Sequence, residues 1–409
     1  MKKYGLIGEK LGHSYSPEIH ALLGNYEYKL YPMPREAVGD FVQNGGLNGF
    51  NVTIPYKETV MPFLDRISPE ARRIGSVNTV VRESDGSTSG YNTDYFGFSV
   101  ELGDVSHLKG KKALVLGSGG ASKTVRAVLG DAGLSPVVTI SRKGPDNYQN
   151  LSRHSDAALI VNTTPVGMYP AVEASPIDLR QFPECQLALD LIYNPAWTEF
   201  LLQARELGIP CRGGLIMLAA QARKAAELFG AIAPGVIRDE DVADEVSRQN
   251  RSIALIGMPG CGKTSVGRAL AEITGRRLID TDERIQQEIG MPIPEYFARF
   301  GEPAFRKIES RILAEAAKES RAVIATGGGI VTVPENRRAL LRNCQVVYLR
   351  RNLDQLPDFD RPVTQKTGVE ALFAQRRALY EGWADDIVDN VGIEATAEIL
   401  KKRISGGAK

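Results

Sequence analysis

Residues 111–133 read KKALVLGSGGASKTVRAVLGDAG, a short apolar run that opens onto glycines and then onto a helix-forming segment. Within it, Gly117-Ser118-Gly119-Gly120-Ala121-Ser122 has the G-x-G-x-x-small pattern of a dinucleotide loop. The first glycine turns the chain, the next lets backbone approach a pyrophosphate, and the helix N–H groups that follow face the anion. A second such transition follows at 251–272, RSIALIGMPGCGKTSVGRALAE, where Gly257 to Thr264 matches G-x-x-x-x-G-K-[ST]. There the backbone around Gly260 and Gly262 cradles phosphates, Lys263 reaches the β and γ oxygens, and Thr264 binds Mg²⁺. One sheet rarely carries both loops, so two nucleotide sites imply at least two catalytic units, one for a dinucleotide and one for ATP.

Outward from these loops, further apolar runs recur with amphipathic stretches between them: KKYGLIG, GFNVTI, PVVTIS, AALIVNTT, QLALDLI, AVIATGGG and CQVVYL. This alternation predicts α/β domains with mostly parallel sheets. The seam is expected in RDEDVADEVSRQNRS at 238–252, whose apolar spacing suggests a last helix and not a loose linker. With 409 residues, 43% hydrophobic and 24% charged residues and a net charge of +1, the chain lacks the basic excess of nucleic-acid or membrane-surface binders. Small-molecule chemistry is the expectation. Cys185, Cys211, Cys261 and Cys344 show neither disulfide nor zinc spacing, and no segment approaches the roughly 20 apolar residues of a membrane span. A cytoplasmic protein is expected; nothing in the sequence speaks to its oligomeric state.

The strand after the dinucleotide loop ends in Ser141-Arg142-Lys143, where an NAD site would present a carboxylate to the ribose. A guanidinium and an ammonium suit a 2′-phosphate, so NADP is expected in place of NAD. The alternative is two solvated surface cations.

Upstream lie Ser14 and Ser16, the run Asn51-Val52-Thr53-Ile54-Pro55-Tyr56-Lys57, then Val77-Asn78-Thr79 and Asn92-Thr93-Asp94. Such hydroxyls, amides, one lysine and one aspartate can bind a polyhydroxylated acid and supply acid/base chemistry. Taken singly, each has an ordinary structural explanation as a turn, a cap or a surface lysine. Downstream, NTTPVGM at 162–168, DLIYNP at 190–195 through Thr198, and Gly213-Gly214 leading to Gln221 follow in order. Together these residues resemble the shikimate dehydrogenase family over residues 1 to about 249. The resemblance implies a substrate lobe of 1–94 with 215–249, a Rossmann-like NADP lobe of 95–214, and a cleft between them. It further implies that Ser14, Ser16, Thr53, Asn78, Asp94 and Gln221 surround the substrate. Lys57 and Asp94 would be the catalytic pair, and Tyr193 and Gly214 would lie on the nicotinamide side. The reaction implied is NADPH-dependent reduction of 3-dehydroshikimate to shikimate. Ser141 and Lys143 depart from the asparagine and threonine common in the family. His13 and His20 are expected to be structural or hydrogen-bonding.

After the second loop come Leu278-Ile279-Asp280-Thr281-Asp282, Phe305-Arg306 with Glu309, Gly327-Gly328-Gly329, Arg361-Pro362, and Arg376 with Leu379-Tyr380. Arginines can clamp a carboxylate and an aspartate can accept hydroxyls from the same ring. The set resembles shikimate kinase over 251–409, a P-loop α/β domain with a parallel sheet that phosphorylates shikimate to shikimate 3-phosphate. That resemblance implies substrate contacts from Asp282, Arg306, Gly328, Gly329 and Arg376, with Asp280 helping Thr264 hold Mg²⁺. Lys263, Asp282 and the lid residue Arg361 would act on the reacting groups. The stretch NLDQLPDFD at 352–360 is short and acidic for such a lid, and no adenine-stacking side chain can be read from it. Two rivals remain at this level. A non-enzymatic sensor of the same fold should have lost the catalytic residues, whereas a quinate-specific enzyme differs in the serines, and Ser14 with Ser16 favours shikimate.

Overall fold

The computed structural model describes residues 2–12, 14–356 and 368–406. The chain divides into two compact units, Met1–Asn194 with Thr198–Ser247, and Pro195–Trp197 with Arg248–Lys409.

The first unit opens with β1 (Lys3–Gly8), α1 (Ser16–Leu23), β2 (Glu27–Pro32), α2 (Val38–Asn44), β3 (Gly49–Val52), β4 (Arg66–Ile67), α3 (Pro69–Ile74), β5 (Thr79–Arg82) and β6 (Thr88–Tyr91). Its sheet runs β2-β1-β3-β5-β6-β4. β1 pairs in parallel with β2 and β3, but β3–β5 and β5–β6 are antiparallel. The sheet is therefore mixed, with three of its five pairings parallel, among them β4 with β6. The β5–β6 reversal is local: Ser84-Asp85-Gly86-Ser87 makes a tight turn in which Asp85 Oδ1 accepts from Ser87 N at 2.9 Å and Gly86 takes φ 85°.

The chain then crosses into a second lobe along α4 (Thr93–Leu102), capped by the Asn92 side chain, which accepts from Tyr95 N. There β7 (Ala113–Leu116), α5 (Gly120–Asp131), β8 (Val137–Ile140), β9 (Leu159–Asn162), β10 (Leu187–Asp190), α6 (Glu199–Glu206) and β11 (Cys211–Gly213) build an all-parallel sheet ordered β11-β10-β9-β7-β8. β7, β9 and β10 are buried along their whole length, as helices on both faces of a parallel sheet require. The return crossing is at Gly214, where a Cβ would lie 2.2 Å from the Leu191 carbonyl oxygen. No larger residue fits that approach. α7 (Leu215–Leu228) then packs back on the first lobe. Ala219, Ala222 and Ala226 meet Ile19 and Leu23 of α1 and Val242 and Val246 of α8 (Asp239–Asn250). Phe229 stacks on Tyr4 of β1 with ring centroids 4.8 Å apart.

Glu101, near the end of α4, is fully buried, and neither carboxylate oxygen has a hydrogen-bond partner among the described residues. Burial, and then the nearby Asp190, push its acid strength far down, so its pKa sits well above the usual carboxylate range despite Arg212. In the unfolded chain Glu101 ionises at the ordinary value. Its contribution to stability is full below that value and is lost as pH rises toward the folded one. Glu101→Gln should therefore raise Tm by a few degrees at pH 8, about 1–3 kcal/mol of relieved desolvation. The gain should vanish near pH 4, as thermal scans across pH will show; a gain independent of pH would refute this.

The second unit contains β12 (Ser252–Ile256), α9 (Lys263–Thr274), β13 (Arg277–Asp280), α10 (Thr281–Ile289), α11 (Ile293–Lys318), β14 (Ala322–Ala325), α12 (Pro334–Asn343), β15 (Cys344–Arg350), α13 (Val369–Trp383), β16 (Asp386–Asp389) and α14 (Ile393–Ser405). All strands are parallel in the order β13-β14-β12-β15-β16. The phosphate loop follows the central strand β12, and α11 is broken at Gly301 (φ 77°), so its second half starts afresh just before Arg306. Among the described residues, no helix is long and apolar enough to cross a membrane.

Candidate active sites

In the first unit a cleft of about 600 Å³ brings together Ser14, Ser16, Thr53, Lys57, Asn78, Asp94, Tyr193, Gly214 and Gln221, with Ala121 from the dinucleotide loop. Lys57 follows β3 in a turn fixed by its own carbonyl, which accepts from Val77 N at 2.9 Å. Asp94 sits in the first turn of α4, where the helix N-terminus favours a carboxylate. Lys57 Nζ donates to Asp94 Oδ2 at 2.6 Å, with side chains 20% and 4% exposed. The ammonium thus faces the cleft while its partner is buried behind it.

Asn78 ties three elements together. Its Oδ1 accepts from Thr93 N at 2.7 Å, and its Nδ2 donates to Gln221 Oε1 on α7 at 3.2 Å. Ser14 Oγ donates to Ser16 Oγ at 3.1 Å, so the two hydroxyls form one polar edge. His20 also lines the cleft, its ring stacked 3.7 Å from that of Tyr28 and Nδ1 2.7 Å from Tyr26 Oη, and burial lowers its pKa to about 3. His13 lies outside the described residues. Tyr193 packs against Tyr15 with centroids 5.1 Å apart, and burial pushes its phenol up to about 12.

The dinucleotide loop has the room a pyrophosphate needs. Gly117 takes φ 105° and nothing lies within 4 Å of a Cβ placed on Gly119 or Gly120, just ahead of α5. Ser141, Arg142 and Lys143 follow β8, and the two cations are exposed. These residues fit NADP. Asn162, Asp190 and Thr198, to which the sequence motifs alone assign no task, form a buried network. Asn162 Nδ2 donates to Asp190 Oδ1 at 3.0 Å and Thr198 Oγ1 to Asp190 Oδ2 at 2.6 Å. Burial pushes Asp190 up to about 7. The network fixes the loops that bring Met168, Leu191 and Tyr193 to the cleft.

In the second unit Lys263 Nζ curls over its loop, donating to Gly257 O at 2.9 Å and Met258 O at 3.0 Å. Thr264 Oγ1 donates to Asp280 Oδ2 at 2.6 Å, and Asp280 Oδ1 accepts from Asp282 N and Glu283 N to cap α10. Two such oxygens beside a phosphate loop suit Mg²⁺, which takes few protein ligands and fills the rest with phosphate and water. Arg306 is held by Glu302 at 2.8 Å and by Glu309. Glu309 is almost fully buried, which raises its pKa; Arg306 opposes that shift, Asp282 adds to it, and Arg376 opposes it. Arg306 alone of these pairs with the Glu309 carboxylate directly. Gly328 O accepts from Arg376 Nη1 at 3.1 Å and from Tyr380 Oη, while a Cβ on Gly329 would overlap the Arg306 guanidinium at 2.1 Å. Only glycine lets that arginine lie there.

Arg361 lies outside the described residues. A cleft of about 940 Å³ lies next to Gly262 and Ser265, lined by Arg351, Asn352, Asn390, Val391 and Ile393. Asn390 Nδ2 donates to Cys261 O at 2.7 Å, joining the turn after β16 to the phosphate loop.

A family profile described as shikimate dehydrogenase substrate binding domain matches residues 6–80, and one described as shikimate kinase matches 259–405. A shikimate dehydrogenase (NADP(+)) of Clostridium perfringens is 38% identical over 268 residues, 60% of this chain and 98% of that protein. One from Caldanaerobacter subterraneus is 37% identical over 56% of this chain and 91% of its own. Among solved structures, shikimate 5-dehydrogenase of Thermus thermophilus in complex with NADP(H) and shikimate is 36% identical with a TM-score of 0.54, covering 60% of this chain and 100% of its own. The chain belongs to the shikimate dehydrogenase family and carries a shikimate kinase domain in the same polypeptide, which makes it an NADP-dependent oxidoreductase and an ATP-dependent phosphotransferase of the shikimate pathway.

Proposed function

We propose that residues 1–94 with 215–249 bind 3-dehydroshikimate, that 95–214 bind NADP(H), and that 251–409 phosphorylate the shikimate formed. One observation carries the reading: the Lys57–Asp94 pair, 2.6 Å apart, lines the same cleft as Ala121 and Gly214 of the dinucleotide side. NADPH, when bound, supplies hydride to the ketone carbon. Lys57 gives a proton to the developing alkoxide and its charge stabilises that oxygen, while Asp94 aims the ammonium and accepts from a substrate hydroxyl. Ser14, Ser16, Thr53, Asn78 and Gln221 hold the carboxylate and remaining hydroxyls. Tyr193 and Gly214 border the nicotinamide side, and Ser141, Arg142 and Lys143 meet the 2′-phosphate.

In the kinase unit bound ATP supplies the phosphoryl group. Arg306 and Arg376 clamp the shikimate carboxylate, with Gly328 and Gly329 shaping the floor, and Asp282 anchors the attacking hydroxyl and takes its proton. Lys263 moves from the loop carbonyls to the phosphates, joined by Arg361 from the lid, and Thr264 and Asp280 hold Mg²⁺. Four free thiols, Cys185, Cys211, Cys261 and Cys344, support a cytoplasmic setting.

Each half-reaction is measurable alone. With 3-dehydroshikimate and no ATP, the chain should oxidise NADPH at least about tenfold more efficiently than NADH. With shikimate and no dinucleotide it should release ADP. Failure of either assay removes that half of the proposal.

A further inference from the structure

We propose that the hydrogen bond between Asp146 and His154 is a latch that presets the loop bearing Arg142 and Lys143, which makes His154 a positioning residue for recognition of the cofactor's 2′-phosphate. The inference rests on the reading that Arg142 and Lys143 meet that phosphate.

After β8 the chain does not enter a helix. Residues 141–150 instead fold on themselves: Ser141 N donates to Asp146 O at 3.1 Å, Asn147 N to Asn150 Oδ1 at 2.8 Å, and Asn150 Nδ2 to Pro145 O at 2.8 Å. The two phosphate-facing cations thus sit on a loop held by local bonds, which alone fix its shape but not its direction. Direction comes from the buried side. His154 Nε2 donates to Asp146 Oδ1 at 2.9 Å, and His154 belongs to a short 3₁₀ turn (Leu151–His154) anchored by the buried Leu151. The His154 side chain is 10% exposed and that of Asp146 33%. Burial pushes the phenol of Tyr148, on the same loop, up from its ordinary value, and the nearby Arg142 guanidinium opposes that shift.

Asp146 is otherwise a poor residue for this place. Its carboxylate is four positions from Arg142, in a loop expected to receive a dianion, and a carboxylate free to swing can compete with phosphate for the same guanidinium. Committing one of its oxygens to His154 points it inward. Without the latch, both effects act in one direction: the loop loses its anchor and Asp146 becomes a rival ligand.

The full chain can be titrated calorimetrically with 2′,5′-ADP and with 5′-AMP, probes that differ only in the 2′-phosphate. His154→Ala should weaken 2′,5′-ADP by about tenfold and leave 5′-AMP unchanged. Asp146→Ala should weaken it less, because the rival carboxylate goes with the latch, and the double variant should match Asp146→Ala since His154 acts through Asp146. Wild-type affinity in His154→Ala, equal loss of both probes, or additive losses in the double variant would each overturn the latch. Arg142→Ala separates the two ideas: if it leaves the preference for 2′,5′-ADP intact, the assignment of the loop fails, not the latch.

Discussion

Lys57→Ala should lower kcat for reduction of 3-dehydroshikimate by about 10³-fold and leave phosphorylation of shikimate at the wild-type rate. A positioned proton donor contributes roughly 10²–10⁴-fold, and a cation beside a developing oxyanion adds to it. Lys57 is the ammonium that faces the cleft, 2.6 Å from Asp94. The substitution leaves Asp94 buried without its partner, so some stability is lost as well. Retained kinase activity reports that the kinase unit of the same sample is folded, and circular dichroism covers the rest. Steady-state rates of the two reactions decide the matter. Loss of both in a folded sample, or survival of reduction, would defeat the two-site account.

Lys263→Ala should do the reverse, reducing phosphoryl transfer by about 10²–10³-fold with reduction unaffected, because phosphoryl transfer depends mainly on charge placed against the phosphate oxygens. Lys263 donates to the carbonyls of buried Gly257 and Met258, so the substitution takes a partner from two buried acceptors and costs some stability as well. Retained ketone reduction reports that the first unit of the same sample is folded, and circular dichroism covers the rest. ADP release measured with saturating shikimate gives the answer, and a variant that phosphorylates normally would remove Lys263 from the site.

The features legible in the sequence are those encoded over a few neighbouring residues. The two glycine loops, the continuous apolar strands β7, β9 and β10, and the cap residue Asn92 ahead of Asp94 follow from local chemistry. The antiparallel β5–β6 pair was also encoded locally, in Asp85-Gly86, but was submerged in the general α/β rhythm. Other features depend on tertiary contact. The return of α7 to the first lobe has no local sign, and only resemblance suggested it. Asn390 meets Cys261 across 129 positions, which is why the cleft beside the phosphate loop could not be drawn beforehand. Glu101 would pass in any helix for a solvated acid, and only the packing around α4 reveals it as a buried one. Asp146 and His154 are only eight positions apart, yet their bond needs a loop where the rhythm of strands suggests a helix.

One chain performs two consecutive reactions, the product of the first being the substrate of the second. The most direct measurement supplies the intact protein with 3-dehydroshikimate, NADPH, ATP and Mg²⁺ and identifies the products by mass. The expected product is shikimate 3-phosphate, with shikimate accumulating in its place when ATP is withheld. Recovery of neither compound, with 3-dehydroshikimate unchanged, would contradict it.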